Sequence, residues 1–311
     1  MTATQDVTIG RRPRRSRAST ETVGGLVSPA DRRRRGVRTT LGGVNALVLM
    51  ALVVMGAAPV YWTVKAALSG TQQLLHEPAR LWPDPTMWSN LSTAWSQLGI
   101  GKYLVNTVVL VLGTWLVGLF VTITGAFAVS VLRPRFGSWV YAGVLATLFV
   151  PGTVTLISLY VTILDVPFTG WNLANTPWAI WLPASANAFN FLIMRQFFDG
   201  IPRDLFEAAE LDGAGPIRLL RHLVLPMSGP IIATVSLITI MAAWKDFLWP
   251  LIVLTEPSVQ PLSVALPRLA ERADLSVLIA GMLIALVPPV IIFVIFQRFI
   301  VRGIGFTGLK G

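Results

Sequence analysis

The sequence predicts an all-α integral membrane protein, and two observations support this prediction. Hydrophobic residues make up 54% of the 311-residue chain and charged residues only 13%, about half the charged share of a soluble domain. The apolar residues also form long continuous runs. A membrane-spanning strand would instead alternate over about 10 residues, so the runs favour helices over a barrel.

Composition also excludes several kinds of site. The chain has no Cys, so it contains no disulfide, thiolate metal ligand or Cys nucleophile. Its two His residues, His76 and His222, are too few to indicate a His-built metal site. No constellation of side chains indicates catalysis. We therefore predict neither catalytic residues nor a bound metal in this chain.

Residues 1–39 differ in composition from the rest of the chain. Ten of the 25 Lys and Arg residues lie there, in RRPRRSR and DRRRRGVR. The segment lacks an apolar period, which predicts a disordered tail. Basic residues beside a span favour the anionic cytoplasmic leaflet, so we assign the net charge of +10 to membrane orientation rather than to nucleic acid. Residues 40–311 are predicted to form one transmembrane domain.

Six windows of the sequence are apolar enough for membrane spans. A helical span needs about 20 mostly apolar residues. The fourth window is the weakest, because Asn187 and Asn190 interrupt it. The windows are 41–64, 104–132, 140–164, 178–198, 230–254 and 277–299.

The loop charges predict the orientation of these spans. Cytoplasmic loops carry an excess of Lys and Arg. The N-terminal tail, the loop with Arg133 and Arg135, and the loop after the fourth span are basic, whereas loop 165–177 has neither Lys nor Arg. Both termini are therefore predicted to be cytoplasmic.

The basic loop after the fourth span, about residues 200–228, has the sequence of two short helices. Asp204 is a candidate N-cap, and Glu207 follows three residues later, as in a capping box. Gly213 and Gly215 interrupt the helix, and Pro216 suits the first turn of a second helix. We expect this second helix to end before Pro226 and both helices to lie outside the membrane.

The residue types of this loop favour docking of a cytoplasmic partner. Small alanines let another surface approach the helix backbone, and the neighbouring acids and arginines supply polar contacts. The alternative is that Glu207 only caps its helix while the arginines contact lipid headgroups.

The order of these residues resembles a known signature. Glu207-Ala208-Ala209, then Gly213, then Leu225-Pro226 resembles the cytoplasmic loop of permease subunits of ABC importers. The resemblance implies the type I permease fold, in which this loop forms coupling helices that fit a cleft of the ATPase subunit. The implied coupling residues are Glu207, Ala208, Ala209, Asp212, Gly213 and Pro226.

Further stretches resemble carbohydrate-uptake permeases of the maltose-importer type. AWKDFLWPLIVL, residues 243–254, is similar to the WN(D/E)FLWPL stretch of their fifth span, and Asn106-Thr107 is similar to their usual Asn-Ser/Thr. Lys245 stands where the family usually has Asn. The ending resembles the tail of the second permease in such heterodimers, which implies contact with the ATPase through Gly308, Lys310 and Gly311.

The resemblance also implies the remaining machinery. The partners would be a second permease chain, a dimer of ABC ATPases and an extracytoplasmic sugar-binding protein, in a bacterial cytoplasmic membrane. The chain contains no G-x-x-x-x-G-K-[ST] motif, so ATP and Mg would bind to the ATPase subunits. The implied function is import of a disaccharide or oligosaccharide. The alternatives are an ABC permease for another solute, such as a glycerol phosphodiester, and an ATP-independent secondary transporter.

Polar and aromatic residues in the fourth and fifth windows are candidates for the solute path. Ionisable residues in a span are costly and usually face a cavity or a partner, and aromatic faces suit a sugar ring. The alternatives are an interfacial aromatic belt with a snorkelling lysine and asparagines that bond neighbouring helices. The candidates are Asn187, Asn190, Trp244, Lys245, Asp246, Phe247 and Trp249.

Two segments on the predicted outer side are candidates for contact with the binding protein. The resemblance implies that Glu256–Pro261 reaches toward its sugar cleft. Loop 69–102, which contains Trp82 and Trp88, is a candidate docking surface. In both cases the alternative is an ordinary connection.

Overall fold

The computed structural model describes residues 35–305, and every regular element in this range is helical. The chain divides into two units, at Val60 and Tyr61. The predictions for residues 1–34 and for Gly308, Lys310 and Gly311 concern segments outside the described residues.

The described part of the first unit belongs to helix α1, Arg35–Ala67, which continues into the second unit. Its segment Thr39–Ala67 is long and apolar enough to cross a membrane. The first predicted window is therefore confirmed as a helix of spanning length.

Two further helices of spanning length belong to the second unit. Helix α4, Ile100–Phe127, continues through a π-helical turn at Ala128–Leu132. Helix α15 covers Leu275–Gly305, of which Leu275–Gln297 has the required length and hydropathy. The second and sixth windows are thus confirmed. At 1.5 Å per residue, α4 alone extends about 42 Å.

The third window is bent rather than straight. Helix α5, Gly137–Thr147, and helix α6, Gly152–Leu164, meet at an angle of 111°. Pro151 precedes α6 directly. A proline has no backbone N–H and disfavours helical geometry at the residue before it. The sequence predicts a span over 140–164, and its hydropathy alone does not indicate this break.

The fourth window consists of two short helices, α7, Trp178–Ser185, and α8, Ala188–Asp199. The chain leaves helical geometry at Ala186 and Asn187. The side-chain oxygen of Asn187 accepts the backbone N–H of Asn190 at 2.9 Å and so caps α8. The prediction that these asparagines interrupt the window is confirmed, but the expected single helix over 178–198 is wrong.

The fifth window is also broken. Helix α12, Gly229–Lys245, ends two residues before helix α13, Leu248–Val253. Pro250 has no N–H to give to the carbonyl of Asp246 four residues earlier. The hydroxyl of Ser263 donates to that carbonyl instead, at 2.7 Å. The count of six spans stays a prediction, because three helices in residues 35–305 meet the length and hydropathy criteria. The number is five if two bent pairs, α5 with α6 and residues 216–227 with α12, each count as one span.

The connection between α8 and α12 forms the predicted pair of helices, with changed ends. Helix α9 covers Arg203–Leu211; helix α10, Pro216–Leu219, a π-helical turn and helix α11, Leu225–Met227, follow without interruption. The capping prediction is wrong, because Pro202 precedes α9 and Asp204 lies inside its first turn. The second helix does not end before Pro226, because this proline lies in the first turn of α11, where a missing N–H is tolerated.

Three buried clusters follow α4 from one end to the other. Ala126 and Phe127 pack with Phe198, Phe206 and Leu219 at the end that holds α9 to α11, which we call the coupling-loop end. The opposite end is closed by helices α2, Thr71–His76, α3, Ser89–Ser96, and α14, Leu262–Ala270, together with the start of α15. The middle cluster joins α4 to α6, α7 and α13.

Candidate functional site

The hinge between α9 and α10 is built around Gly213. Its φ of 77° lies in the left-handed region, where a side chain is strained. The Gly213 N–H donates to the Glu210 carbonyl and the Ala214 N–H to the Ala209 carbonyl, both at 2.9 Å. These two bonds form a Schellman motif, which ends the helix and satisfies its last carbonyls. Gly213 therefore determines the direction in which the chain leaves α9.

Helix α9 has one buried and one exposed face. Phe206 is buried in the cluster at the coupling-loop end, while Glu207 and Ala208 are exposed. The side chain of Glu207 makes no hydrogen bond or ion pair with any residue that the structure describes. The side chain is therefore not used as a helix cap and is free for contact with another molecule.

Large apolar side chains are exposed on both sides of the hinge. Leu211 is 90% and Ile217 81% exposed, although acids and arginines surround them. A groove of about 420 Å³ lies between α9 and the helix after the hinge, and Asp212, Arg218 and His222 are among its lining residues. Exposed apolar side chains beside charged groups are typical of a protein-binding surface.

A polar cluster connects α9 to the ends of α4 and α8. The Ser130 hydroxyl donates to Asp199 Oδ1 at 2.6 Å, and the Ser130 carbonyl accepts from Arg133 at 3.0 Å and Arg203 at 3.1 Å. Arg195 Nε lies 3.5 Å from Asp199 Oδ2, within ion-pair range but without hydrogen-bond geometry. The first residue of α9 is thus bonded directly to the end of α4.

A cavity of about 290 Å³ lies between α4, α7, α8 and α12 in the middle of the second unit. Both helix breaks border it, because Asn187 ends the gap between α7 and α8, and Asp246 begins the gap after α12. Non-helical backbone at membrane depth is tolerated where it lines a cavity. Its polar lining residues are Thr114, Asn187, Asn190, Thr239, Lys245 and Asp246.

Four of the seven predicted path residues therefore meet at this cavity, and three do not. The described residues that line the cavity do not include Trp244, Phe247 or Trp249. Trp249 is buried, and its indole N–H donates to the Ala179 carbonyl at 2.9 Å, which gives it a structural role. Phe247 is exposed and Trp244 half-buried.

Asn190 bonds a neighbouring helix, as one sequence alternative predicts, and both asparagines line the cavity. Asn190 Nδ2 donates to the Thr239 hydroxyl at 2.9 Å and so joins α8 to α12. Its Oδ1 is buried at the cavity without a partner in the described chain, and so is the hydroxyl of Thr114. Sequence reasoning overlooked Thr114, because one threonine in an apolar window carries no signal until its neighbours are known.

At the opposite end, polar side chains of α4 hold the loop after α13. The Asn106 amide donates to the carbonyls of Ser258 and Gln260, each at 2.9 Å. The Thr107 hydroxyl accepts the Leu262 N–H at 2.8 Å. The Asn106-Thr107 pair thus has a local structural function, and it leaves Thr255–Ser258 exposed.

These features define a helical membrane permease with broken spans around a polar cavity and an exposed helical loop at one end. A family profile matches residues 116–306, which is more than half of the chain. The chain belongs to the family of binding-protein-dependent transport system inner membrane components, the permease subunits of ABC importers.

Individual relatives agree with this assignment over most of their length. The sn-glycerol-3-phosphate transport system permease protein UgpE of Brucella suis biovar 1 (strain 1330) is 27% identical over 272 residues, which cover 84% of this chain and 95% of the relative. The probable ABC transporter permease protein YurM of Bacillus subtilis (strain 168) is 28% identical over 278 residues, with 87% and 90% covered.

A solved structure shares the fold. It is the crystal structure of a bacterial ABC transporter involved in the import of the acidic polysaccharide alginate. One of its chains matches with a TM-score of 0.75 and 21% identity, over 88% of this chain and 99% of that chain. The predicted all-α type I permease fold is thereby confirmed.

Proposed function

We propose that this chain is one of two different permease subunits of an ATP-driven sugar importer. It forms the translocation path with the second permease. An ABC ATPase dimer binds ATP and Mg, so this chain is not catalytic. An extracytoplasmic binding protein delivers a disaccharide or oligosaccharide.

The observation that carries this proposal is the exposed surface of α9 and its hinge. Glu207 and Ala208 are exposed, Glu207 lacks a partner in the described chain, and Leu211 and Ile217 extend into solvent. Contact of the charged groups with lipid headgroups, the alternative, would not require one exposed apolar side chain before the turn and another after it. Docking into a cleft of an ATPase explains both features together.

The proposed orientation rests on the distribution of positive charge. The coupling-loop end carries Arg133, Arg135, Arg203, Arg218 and Arg221, and loop 165–177 of the opposite end has no Lys or Arg. By the positive-inside rule, the coupling-loop end and both termini are cytoplasmic. The six-span organisation is consistent with this orientation.

The opposite end would then face the binding protein. Trp82, Trp88 and Trp95 are exposed there, and Asn106 holds the exposed segment Thr255–Ser258 in place. A loop that is fixed by hydrogen bonds suits the docking of a folded partner better than a mobile chain would.

Sugar as the solute is supported by the chemistry of the cavity. It combines hydroxyl, amide and opposite charged groups from Thr114, Asn190, Lys245 and Asp246, which suit a polyhydroxylated solute. A named relative belongs to an sn-glycerol-3-phosphate transport system. The alternative solute is therefore a phosphorylated compound or a glycerol phosphodiester, and its binding in place of sugar would overturn this part of the proposal.

The coupling proposal is tested with Glu207→Arg in the tagged full chain. We expect the variant to reach the membrane at the wild-type level but to lose ATPase subunits during mild detergent purification, because a reversed charge opposes the docking contact. Mass spectrometry measures the ATPase and second permease that co-purify. Binding-protein-stimulated ATP hydrolysis measures coupling.

Glu271→Arg is the matched control, since Glu271 is an exposed acid that follows α14 at the opposite end. It should retain the ATPase subunits. Equal ATPase recovery and stimulation for Glu207→Arg and wild type would exclude α9 as the docking surface. The solute is identified separately, from the thermal shift of the purified binding protein with maltose, trehalose or sn-glycerol-3-phosphate.

A further inference from the structure

The central cavity is lined by Thr114 and Asn190, each of which has a buried polar atom without a partner among the described residues. We infer that this chain has its own solute subsite, formed by Thr114 and Asn190, for a single uncharged hydroxyl-bearing unit such as one sugar ring. This inference rests on the proposed importer function and adds the position and the chemical class of the contact.

Two buried side chains identify the subsite. Thr114 is 3% and Asn190 5% exposed. The Thr114 hydroxyl and Asn190 Oδ1 have no hydrogen-bond partner in the part of the chain that the structure describes. An unsatisfied buried polar atom is destabilising, so both are expected to bond a molecule that enters the cavity.

A hydroxyl group matches these two atoms better than an anion does. Thr239 contacts only one atom of the Asn190 amide, so either orientation of the amide leaves the other atom without a partner. A hydroxyl both donates and accepts hydrogen bonds and suits either orientation. A carboxylate or phosphate dianion only accepts, so it can bond the free amide atom of Asn190 in just one of the two orientations.

The charges at the cavity also favour an uncharged group. Lys245 and Asp246 both line it and have opposite signs. An anion attracted by Lys245 is therefore repelled by Asp246. The volume of about 290 Å³ lies just below the ~300–1,000 Å³ found for ligand pockets, which indicates one ring at a time rather than a whole oligosaccharide.

The natural absence of Cys allows a direct test in the assembled transporter. Ala184 lines the cavity and is exposed, so Ala184→Cys provides a reporter for a small methanethiosulfonate reagent. We expect D-glucose or maltose at high concentration to slow labelling of this chain about tenfold, and sn-glycerol-3-phosphate to leave the rate unchanged. Thr147→Cys, in a neighbouring apolar cavity, should show no sugar effect.

The role of Thr114 is tested by adding Thr114→Val to the reporter chain. Valine keeps the shape but removes the hydroxyl, so the sugar concentration for half-protection should rise about threefold to tenfold. The thermal midpoint should stay equal or rise, because the removed hydroxyl has no partner within residues 35–305. Ser236→Ala is the control, because Ser236 is buried on α12 and bonds Ile232 of its own helix.

The possible outcomes separate the subsite from the general function. If the complex hydrolyses ATP but neither sugar protects Ala184→Cys, or sn-glycerol-3-phosphate protects it equally well, the subsite is wrong and the importer stands. Unchanged half-protection in Thr114→Val excludes Thr114 as a contact. If no ATPase co-purifies with the wild-type chain, the proposed function itself fails.

Discussion

The hydroxyl of Ser130, at the end of α4, donates to the carboxylate of Asp199, at the end of α8, over 2.6 Å. Ser130 is nearly fully buried, and its carbonyl also accepts from Arg203, the first residue of α9. One residue therefore joins two membrane elements to the helix that we propose contacts the ATPase. A displacement of α9 would act on α4 through this bond.

Ser130→Ala should lower the stability of the protein without removing the contact to α9, because the backbone carbonyl remains. A hydrogen bond to a charged group contributes about 1.5–3 kcal/mol, and partial exposure of Asp199 reduces this to about 1 kcal/mol. The thermal midpoint of the purified chain should fall by about 2–4 °C. Ser92→Ala, which removes an exposed hydroxyl bonded to Ser89, should not change it; equal midpoints for both variants would contradict this account.

The two glycines of the hinge should respond differently to alanine. Gly213→Ala places a side chain at φ 77° and should cost about 1 kcal/mol of stability. Gly215 has φ −76° and no atom within 4 Å of an added Cβ. It is the N-cap of α10, where alanine is less favourable than glycine, and the lower entropy of the unfolded chain offsets this loss, so Gly215→Ala should be close to neutral. Thermal unfolding of both variants measures the difference, and Gly213→Asn should recover part of the loss. If the Gly213→Ala chain were as stable as the Gly215→Ala chain, the left-handed conformation at Gly213 would not require glycine, and this account of the hinge would be wrong.

The sequence was sufficient to predict the elements with a long-range pattern. The apolar runs identified α1, α4 and α15, since each exceeds the length that a bilayer requires. The glycines identified the hinge, because a left-handed position favours glycine. Asn187 and Asn190 were recognised as an interruption because amides are rare in apolar runs.

The remaining features depend on contacts between distant parts of the chain. Pro151 and Pro250 bend or divide two windows, and a hydropathy window averages over single residues. Trp249 is an aromatic residue of the type that stacks on sugar rings. Its indole N–H donates to the Ala179 carbonyl, however, and only the fold shows this bond. The same holds for Thr114, whose hydroxyl becomes informative only because none of the described residues is a hydrogen-bond partner for it.

Asn106 should determine the order of the exposed loop after α13. Asn106→Leu keeps the size of the side chain but removes the donors to Ser258 and Gln260. Two lost hydrogen bonds should accelerate amide exchange in residues 255–260 by about tenfold or more. Hydrogen–deuterium exchange with mass spectrometry measures this rate. Asn172→Leu, in the loop between α6 and α7, is the control and should leave the exchange rate of residues 255–260 unchanged. Slow exchange of residues 255–260 in both variants would show that other contacts hold this segment.

The contact between α4 and α7 depends on the absence of a side chain at Gly113. A Cβ there would lie 2.0 Å from Trp181, whose indole N–H donates to the Leu110 carbonyl at 3.1 Å. Alanine is the better helix former by about 1 kcal/mol, but overpacking costs about 1–3 kcal/mol and would displace the tryptophan. Gly113→Ala should therefore lower the thermal midpoint. Gly143→Ala, in α5 with no atom within 4 Å of the added Cβ, should raise it by the propensity gain alone. Changes of the same sign in the two variants would contradict the close packing of α4 on α7.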